Sequence, residues 1–469
     1  MSQPDLDPTF MTVHALSAAI GEGSLTATDI VECCLRRIAT HDDKLHAFVE
    51  VYWEEARLAA QAADQAIRSG HRLGPLHGIP IALKDIIDME GRITTGGSKV
   101  WQDRRSPTTA TVAQRLIGAG MIVIGKTHSV EFAMGGWGTN THMGTPWNPW
   151  DLATHRTPGG SSAGSGVAVA AGMVPAAIGT DTGGSVRLPA SFCGLAGLKT
   201  TVGRISLHGI LPLSTTLDTP GPMTRSVEDA AMIYDVLQGP DPLWPPTLAH
   251  ATHNPFTSLR RGVKGLRLAT ISATERVGVD GPTLAAFDAA QSVLRELGAT
   301  ITEIEMPRPF TDFAAIAGRI IGAEGYRFVG ALADDPDLPI DPNVRPRIQL
   351  GRDIKAHEYL DALAEQQAAK AEYAEAMMDF DALLLPSTET PAIPLTEADE
   401  GGTPARFTRA GNCLELCALS LPNGLSPDGL PTSLQIACPG HAEAMALRIG
   451  WAYEQATDWH RQHPAIGND

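Results

Sequence analysis

Two glycine–serine stretches decide how this chain reads: Pro158-Gly159-Gly160-Ser161-Ser162-Ala163-Gly164-Ser165 and Gly179-Thr180-Asp181-Thr182-Gly183-Gly184-Ser185-Val186-Arg187. Paired glycines let the backbone aim several N–H groups at one point. Such a nest suits an oxyanion forming on an attacked carbonyl. A serine at its edge, Ser185, is placed as a nucleophile. Ser161 and Ser162 follow two glycines and precede an expected helix, where a serine also serves simply as a cap. A lone Gly-Gly-Ser is equally an ordinary turn.

Upstream, Gly78-Ile79-Pro80-Ile81-Ala82-Leu83-Lys84-Asp85 runs an apolar stretch into a lysine. Taken alone, it reads as a strand-end lysine reaching solvent or pairing with Asp85. A lysine desolvated there would lose its preference for the charged form and could act as a base near neutral pH. Two serines on glycine turns with one desolvated lysine are parts of a hydrolase that needs no histidine.

Other motifs fail on context. Gly120-Met121-Ile122-Val123-Ile124-Gly125-Lys126-Thr127 matches the phosphate-loop pattern, but its variable positions are all apolar and read as a core strand. Gly160-Ser161-Ser162-Ala163-Gly164 matches the nucleophile elbow with Ser162 as nucleophile, yet Asp151 to Pro158 does not read as the strand that motif requires. The 15 histidines lack ligand spacing, so no metal or other cofactor is expected.

Outward from these motifs the chain alternates. Residues 12–70 read as helices, with Thr26-Ala27-Thr28-Asp29 as a cap. Strands are expected at 79–83, 121–124, 174–178, 266–271, 300–304, 382–385 and 430–437. Helices are expected at 110–118, 166–172, 282–297, 311–331, 352–379 and 441–457. The Gly-, Asn- and Trp-rich stretch 135–166 is a long loop of the functional kind. Trp137, Trp147 and Trp150 on it either hold an aryl or hydrophobic acyl group or pack the loop. The alternation predicts an α/β fold with a central mixed sheet flanked by helices. One domain over 1–469 is expected. It has N-terminal helices (1–70), a core carrying the glycine–serine and lysine motifs (71–238 and 400–469), a proline-rich connection (239–258) and an α/β region (259–399).

At 469 residues, 43% hydrophobic and 19% charged, the composition is that of a globular protein. The formal charge of −17 disfavours phosphate backbones, so no nucleic-acid partner is expected. The six cysteines contain no Cys-x-x-Cys and read as free thiols of a reducing compartment. The start Met1 to Asp7 lacks a leader pattern and no apolar run is long enough to span a bilayer. A cytoplasmic chain without a membrane partner is expected.

Taken together, the text resembles the amidase signature family. The matching segments are 78–85, 125–133, 158–165 and 179–190, then Gly-Leu-Lys at 197–199, Gly-Arg-Ile-Ser at 203–206, Leu-Asp-Thr-Pro-Gly-Pro-Met-Thr-Arg at 217–225 and Asp-Gly-Leu-Pro at 428–431. The resemblance implies Ser185 as nucleophile, Lys84 as base, and Ser161 as the bridging serine after a cis Gly160–Ser161 peptide. It implies an oxyanion hole from the backbone of Thr182, Gly183, Gly184 and Ser185, with Asp181, Arg187 and Ser162 as supports. Met134, Gly135, Gly136 and Trp137 are the expected pocket. The chain departs from the family text at 199–201, 411–419 and 431–435, and the stretch after 405 often borders the pocket. The resemblance implies 71–238 and 400–469 as the catalytic core and 259–399 as a variable region bordering the pocket. It implies first a free-standing hydrolase of a small aryl or hydrophobic amide, or of a carbamate (a urethanase), with room for a homodimer. The alternatives are the A-type component of a tRNA-dependent amidotransferase drawing ammonia from glutamine, and a non-catalytic binding protein on the same fold.

Overall fold

The computed structural model describes residues 7–467; the Met1 to Leu6 part of the start that was read for a leader pattern lies outside the described residues. Among the described residues, eleven strands form one sheet: β1 (Phe48–Val51), β2 (Pro80–Lys84), β3 (Ile122–Thr127), β4 (Ala176–Asp181), β5 (Ala196–Lys199), β6 (Thr219–Thr224), β7 (Arg267–Ile271), β8 (Thr300–Ile304), β9 (Ala382–Pro386), β10 (Cys417–Leu425) and β11 (Pro431–Cys438). Their order is β1-β3-β2-β4-β6-β5-β10-β11-β9-β7-β8. The parallel runs β3-β2-β4 and β9-β7-β8 flank an antiparallel centre. The expected α/β class with a mixed central sheet is the observed one.

Helices cover both faces. Gly197 in β5 turns toward Ala190 of the helix Arg187–Cys193. The next residue, Leu198, pairs with Leu419, which meets Gly450 of the helix Glu443–Gln455. Successive strand side chains point to opposite faces, so these two helices lie on opposite sides. β2 to β6 are buried along their whole length, as strands covered on both faces must be.

Several local expectations change. Residues 12–70 hold the helices Val13–Glu22, Ala27–Leu45 and Trp53–Arg68, the second closed by a Thr26–Asp29 capping box. Phe48–Val51, however, is a strand, because it pairs antiparallel with β3. β6 contains Pro220 and Pro222, residues that argue against a central strand. Its partner β5 reaches only Met223 and Thr224, so the other edge of Thr219–Pro222 carries no strand ladder. There the Pro220 carbonyl accepts a bond from Thr200 Oγ1 at 3.1 Å. The missing proline N–H groups therefore cost no sheet hydrogen bond. The phosphate-loop match is β3 itself, fully buried, with Lys126 Nζ bonded to Asp85 Oδ1 and Thr94 Oγ1, each at 3.0 Å. Asp85 thus pairs with Lys126 and leaves Lys84 for another role. No helix among the described residues is long and apolar enough to cross a membrane.

Candidate active site

β2 and β4 are parallel neighbours, with Leu83 opposite Ile178. Their carboxyl ends therefore open side by side, where ligands bind in α/β sheets. Lys84 closes β2 and is fully buried. Its Nζ lies 2.7 Å from Ser161 Oγ and 2.9 Å from Thr180 Oγ1 on β4. Burial pushes the Lys84 pKa from its ordinary value of 10.5 down to about 7, with Asp218 and Asp181 pulling the other way. The strand-end lysine does not reach solvent.

Ser161 reaches this lysine from the loop before the helix Ala163–Ala170. The Gly160–Ser161 peptide is cis, and the Ser161 carbonyl accepts the Val130 N–H at 3.1 Å. Ser162, the residue of the elbow match, faces away. Its hydroxyl brackets the β4 backbone, with Thr180 N and Thr180 O both at 3.3 Å. It fixes the strand end that carries Thr180.

Ser185 follows β4 through the turn Thr182-Gly183-Gly184. Gly184 has φ +140°, and a Cβ there would run into Thr408 Oγ1, so no other residue fits. Asp181 organises the turn. Its carboxylate accepts Gly184 N at 2.8 Å and Val186 N at 3.2 Å, and pairs with Arg187 through Nε at 3.0 Å and Nη2 at 2.9 Å. Burial alone would raise the Asp181 pKa, but the Arg187 guanidinium and its bonds hold it well below the usual carboxylate range. Arg187 is completed by Gln435 Oε1 and Asn412 Oδ1, both at 2.7 Å. The Gly184 amide is thus committed to Asp181, which corrects its expected place in the oxyanion hole. The amides of Thr182, Gly183 and Ser185 have no acceptor among the described residues. The Ser185 hydroxyl also makes no hydrogen bond among them. It is 8% exposed, whereas Lys84 and Ser161 are at 0%.

Ser185 opens onto a cavity of about 480 Å³ that Thr182 and Gly183 also line. Met134, Gly135 and Gly136 form one wall of it, next to the positive-φ residues Phe132 (49°) and Ala133 (59°). Trp137 does not line the cavity, which corrects its assignment to the pocket. Its indole N–H bonds the Asp399 carbonyl at 2.9 Å and its ring stacks on Phe192. Trp147 and Trp150 are likewise tied to backbone carbonyls, of Asp151 and Cys193. All three tryptophans pack the loop. The opposite wall comes from Ile321 and Gly322 of the helix Phe310–Asp334, from Leu350 and Ile354, and from Arg409.

Sequence reasoning passed over Thr180, Asp218 and Arg409. Thr180 and Asp218 lie inside quoted motifs, but nothing in a motif says which neighbour a side chain faces. Asp218 Oδ1 accepts Thr182 Oγ1 at 2.5 Å, and Oδ2 accepts the amides of Leu213 and Ser214. Burial pushes its pKa up to about 6.

Comparison with known proteins bears on this geometry. The Amidase family model matches residues 29–447. The A-type component of the glutamyl-tRNA(Gln) amidotransferase of Chloroflexus aggregans is 37% identical, across 97% of this chain and 98% of that protein. A solved chain from a vestigial complex tied to the evolutionary origins of an s-triazine catabolic enzyme superposes with TM-score 0.89. It is 32% identical and the match covers 95% of this chain and 98% of that one. The peptide amidase in complex with chymostatin follows at TM-score 0.87 and 29% identity, covering 98% and 100%.

The relatives correct one expectation. A chain confined to a small-molecule substrate, with no nucleic acid and at most a second copy of itself, is overturned by the name borne by the Chloroflexus aggregans protein and by further relatives, each one component of a glutamyl-tRNA(Gln) amidotransferase. Net charge averages over a whole surface and does not report which member of an assembly meets a tRNA. On the family match, the full-length relatives and the shared architecture, this chain belongs to the amidase family in its amidase signature form.

Proposed function

We propose that this site cleaves a carboxamide C–N bond through an acyl-enzyme on Ser185. The observation that carries the reading is the buried Lys84 Nζ at 2.7 Å from Ser161 Oγ, behind a serine open to the cavity. Neutral Lys84 accepts the Ser161 proton, and Ser161 takes the proton of Ser185 as that oxygen attacks the carbonyl carbon. The oxyanion meets the amides of Thr182, Gly183 and Ser185. Ser161 returns a proton to the nitrogen as the C–N bond breaks, and ammonia or an amine leaves. Water then attacks the ester and the relay runs once more. No residue in this path needs a metal.

With its relatives, the chain reads as the A-type component of a tRNA-dependent amidotransferase, releasing ammonia from glutamine beside protein partners and a charged tRNA. The six free cysteines fit work in the cytoplasm. The test is the glutaminase rate of the chain alone and with the remaining components of the Chloroflexus aggregans amidotransferase. Stimulation by the partners supports this reading, and a glutaminase rate at background in both arms sinks it. One observation favours a second reading, a hydrolase of amides or carbamates without an ammonium group. Among the described residues no Asp or Glu lines the cavity, whereas glutamine carries an ammonium that needs a counter-charge. Hydrolysis of a neutral amide such as butanamide, with no glutaminase activity, would select it.

A further inference from the structure

Three arginines line the cavity: Arg319, Arg347 and Arg409. Two are already engaged. Arg319 is clamped by both carboxylate oxygens of Glu365. Arg347 pairs with Glu400 Oε2 at 3.0 Å and donates to the carbonyls of Met134, Glu400 and Gly402. Arg409 differs. Among the described residues its guanidinium has neither an ion pair nor a hydrogen bond. Burial, and then the like charge of Arg347, lower its pKa.

Arg409 sits on the helix Arg406–Cys413, whose Asn412 braces Asp181. Its side chain passes the turn beside Ser185: a Cβ on Gly183 would lie 3.4 Å from Arg409 Cγ and 3.7 Å from its Nε. A guanidinium offers five N–H donors and keeps its charge. A partly desolvated one without a counter-ion is costly unless a ligand supplies the partner. Carboxylate and phosphate both match its fork in two parallel bonds, and of the two a carboxylate is the group that fits beside a carboxamide in one small molecule.

We propose that Arg409 receives a carboxylate of the substrate, so that the site takes monoanionic amides. The carboxylate docks at Arg409 while the carboxamide lies in the amide nest at Ser185, a placement that rests on the second reading above, cleavage of an amide that carries no ammonium group. Among the described residues no acidic side chain lines the cavity to meet a second, cationic group. The same arginine would otherwise be read as an extra oxyanion donor, since it runs past Gly183. The two roles differ in what they discriminate: a carboxylate receptor separates charged from neutral amides, whereas an oxyanion donor serves both alike.

The probe is succinamate, a carboxylate with a terminal carboxamide, against butanamide and glutamine. Calorimetric titration uses the full chain carrying Ser185→Ala, which needs no turnover. Succinamate is expected to bind, about tenfold tighter than glutamine, and to lose about 50-fold on adding Arg409→Met. Arg409→Lys should fall between the two, and it stands in if the Met variant does not fold. In the active enzyme, Arg409→Met should lower the succinamate-to-butanamide ratio of kcat/KM about 50-fold, mainly through KM. Equal losses for both amides, a loss confined to kcat, or succinamate binding indifferent to Arg409 would each overturn the proposal. Glutamine binding more tightly than succinamate would overturn its monoanionic part. If no amide is turned over yet succinamate binding still depends on Arg409, amide cleavage fails as the function while the carboxylate site stands.

Discussion

Lys84 Nζ and Ser161 Oγ lie 2.7 Å apart, both fully buried, with Thr180 Oγ1 as the second partner of the amine. Hydroxyl oxygens are thus its direct partners, and the nearest carboxylates act only at a distance. Desolvation therefore dominates, and the neutral amine is favoured near pH 7.

The first prediction follows from that pKa of about 7. Only neutral Lys84 can accept a proton, so kcat/KM should fall about tenfold per pH unit below pH 7 and level off above it. Lys84→Met should remove at least about 10³-fold of the rate. Below about pH 7 the lysine is charged in both folded and unfolded chains, and the folded chain bears the buried charge. Between that value and 10.5 the unfolded chain holds the extra proton, so this destabilisation fades as pH rises. Lys84→Met should accordingly melt above the parent at pH 6, with the difference shrinking toward pH 9. An unchanged pH–rate profile in the variant would remove Lys84 from the role of base.

Ser185 is the accessible hydroxyl of the three catalytic candidates. Ser185→Ala should lose about 10⁴-fold or more in kcat and all labelling by a sulfonyl fluoride, with its melting temperature within a few degrees of the parent. Ser161→Ala should retain slow labelling, because the nucleophile remains and only its relay is gone. Parent-like labelling of Ser185→Ala would exclude it as nucleophile.

Asp218 raises the Lys84 pKa by its charge and holds the Thr182 hydroxyl. Replacing it by Asn removes that charge, so the neutral lysine should persist to lower pH. The acid limb of the pH–rate profile is expected to move down in Asp218→Asn, and an upward shift would contradict the electrostatic account.

The Asp181–Arg187 pair is fully buried on both sides. Removing one member strands the other charge, so Arg187→Met should cost about 3–5 kcal/mol in urea unfolding. Asp181→Asn alone should also be costly. The double substitution should cost less than the sum, since no charge is then left unpaired. Strict additivity would mean that the two do not interact.

Trp137 packs on Phe192 and lies outside the cavity lining. Trp137→Ala should lower stability by about 1–3 kcal/mol through lost packing of a half-buried ring, while KM for any substrate stays within about twofold. A KM rise of tenfold would return Trp137 to the pocket.

The catalytic candidates were legible because each sits in a short contiguous motif whose residue types carry the chemistry. Ser161 and Ser185 follow paired glycines, and Lys84 ends an apolar run. β6 was not legible, because prolines count against a central strand and only the short reach of β5 leaves its edge free for them. β1 was hidden inside a helical stretch, since its pairing partner β3 lies more than 70 residues downstream.

The sequence by itself determined the α/β alternation, the glycine turns and the serines that follow them, all set by local backbone preference and hydrophobic period. The tertiary structure decided what those groups face. Parallel β2 and β4 bring Lys84 against Thr180 and Ser161, and burial at that junction, not the lysine itself, favours its neutral form. The turn before Ser185 spends the Gly184 amide on Asp181 and leaves three others free. Arg409 reads in sequence like any surface arginine. Only the packing of its helix across the cavity leaves its guanidinium, among the described residues, without an ion pair or hydrogen bond, and such a desolvated charge is what the proposed carboxylate would answer.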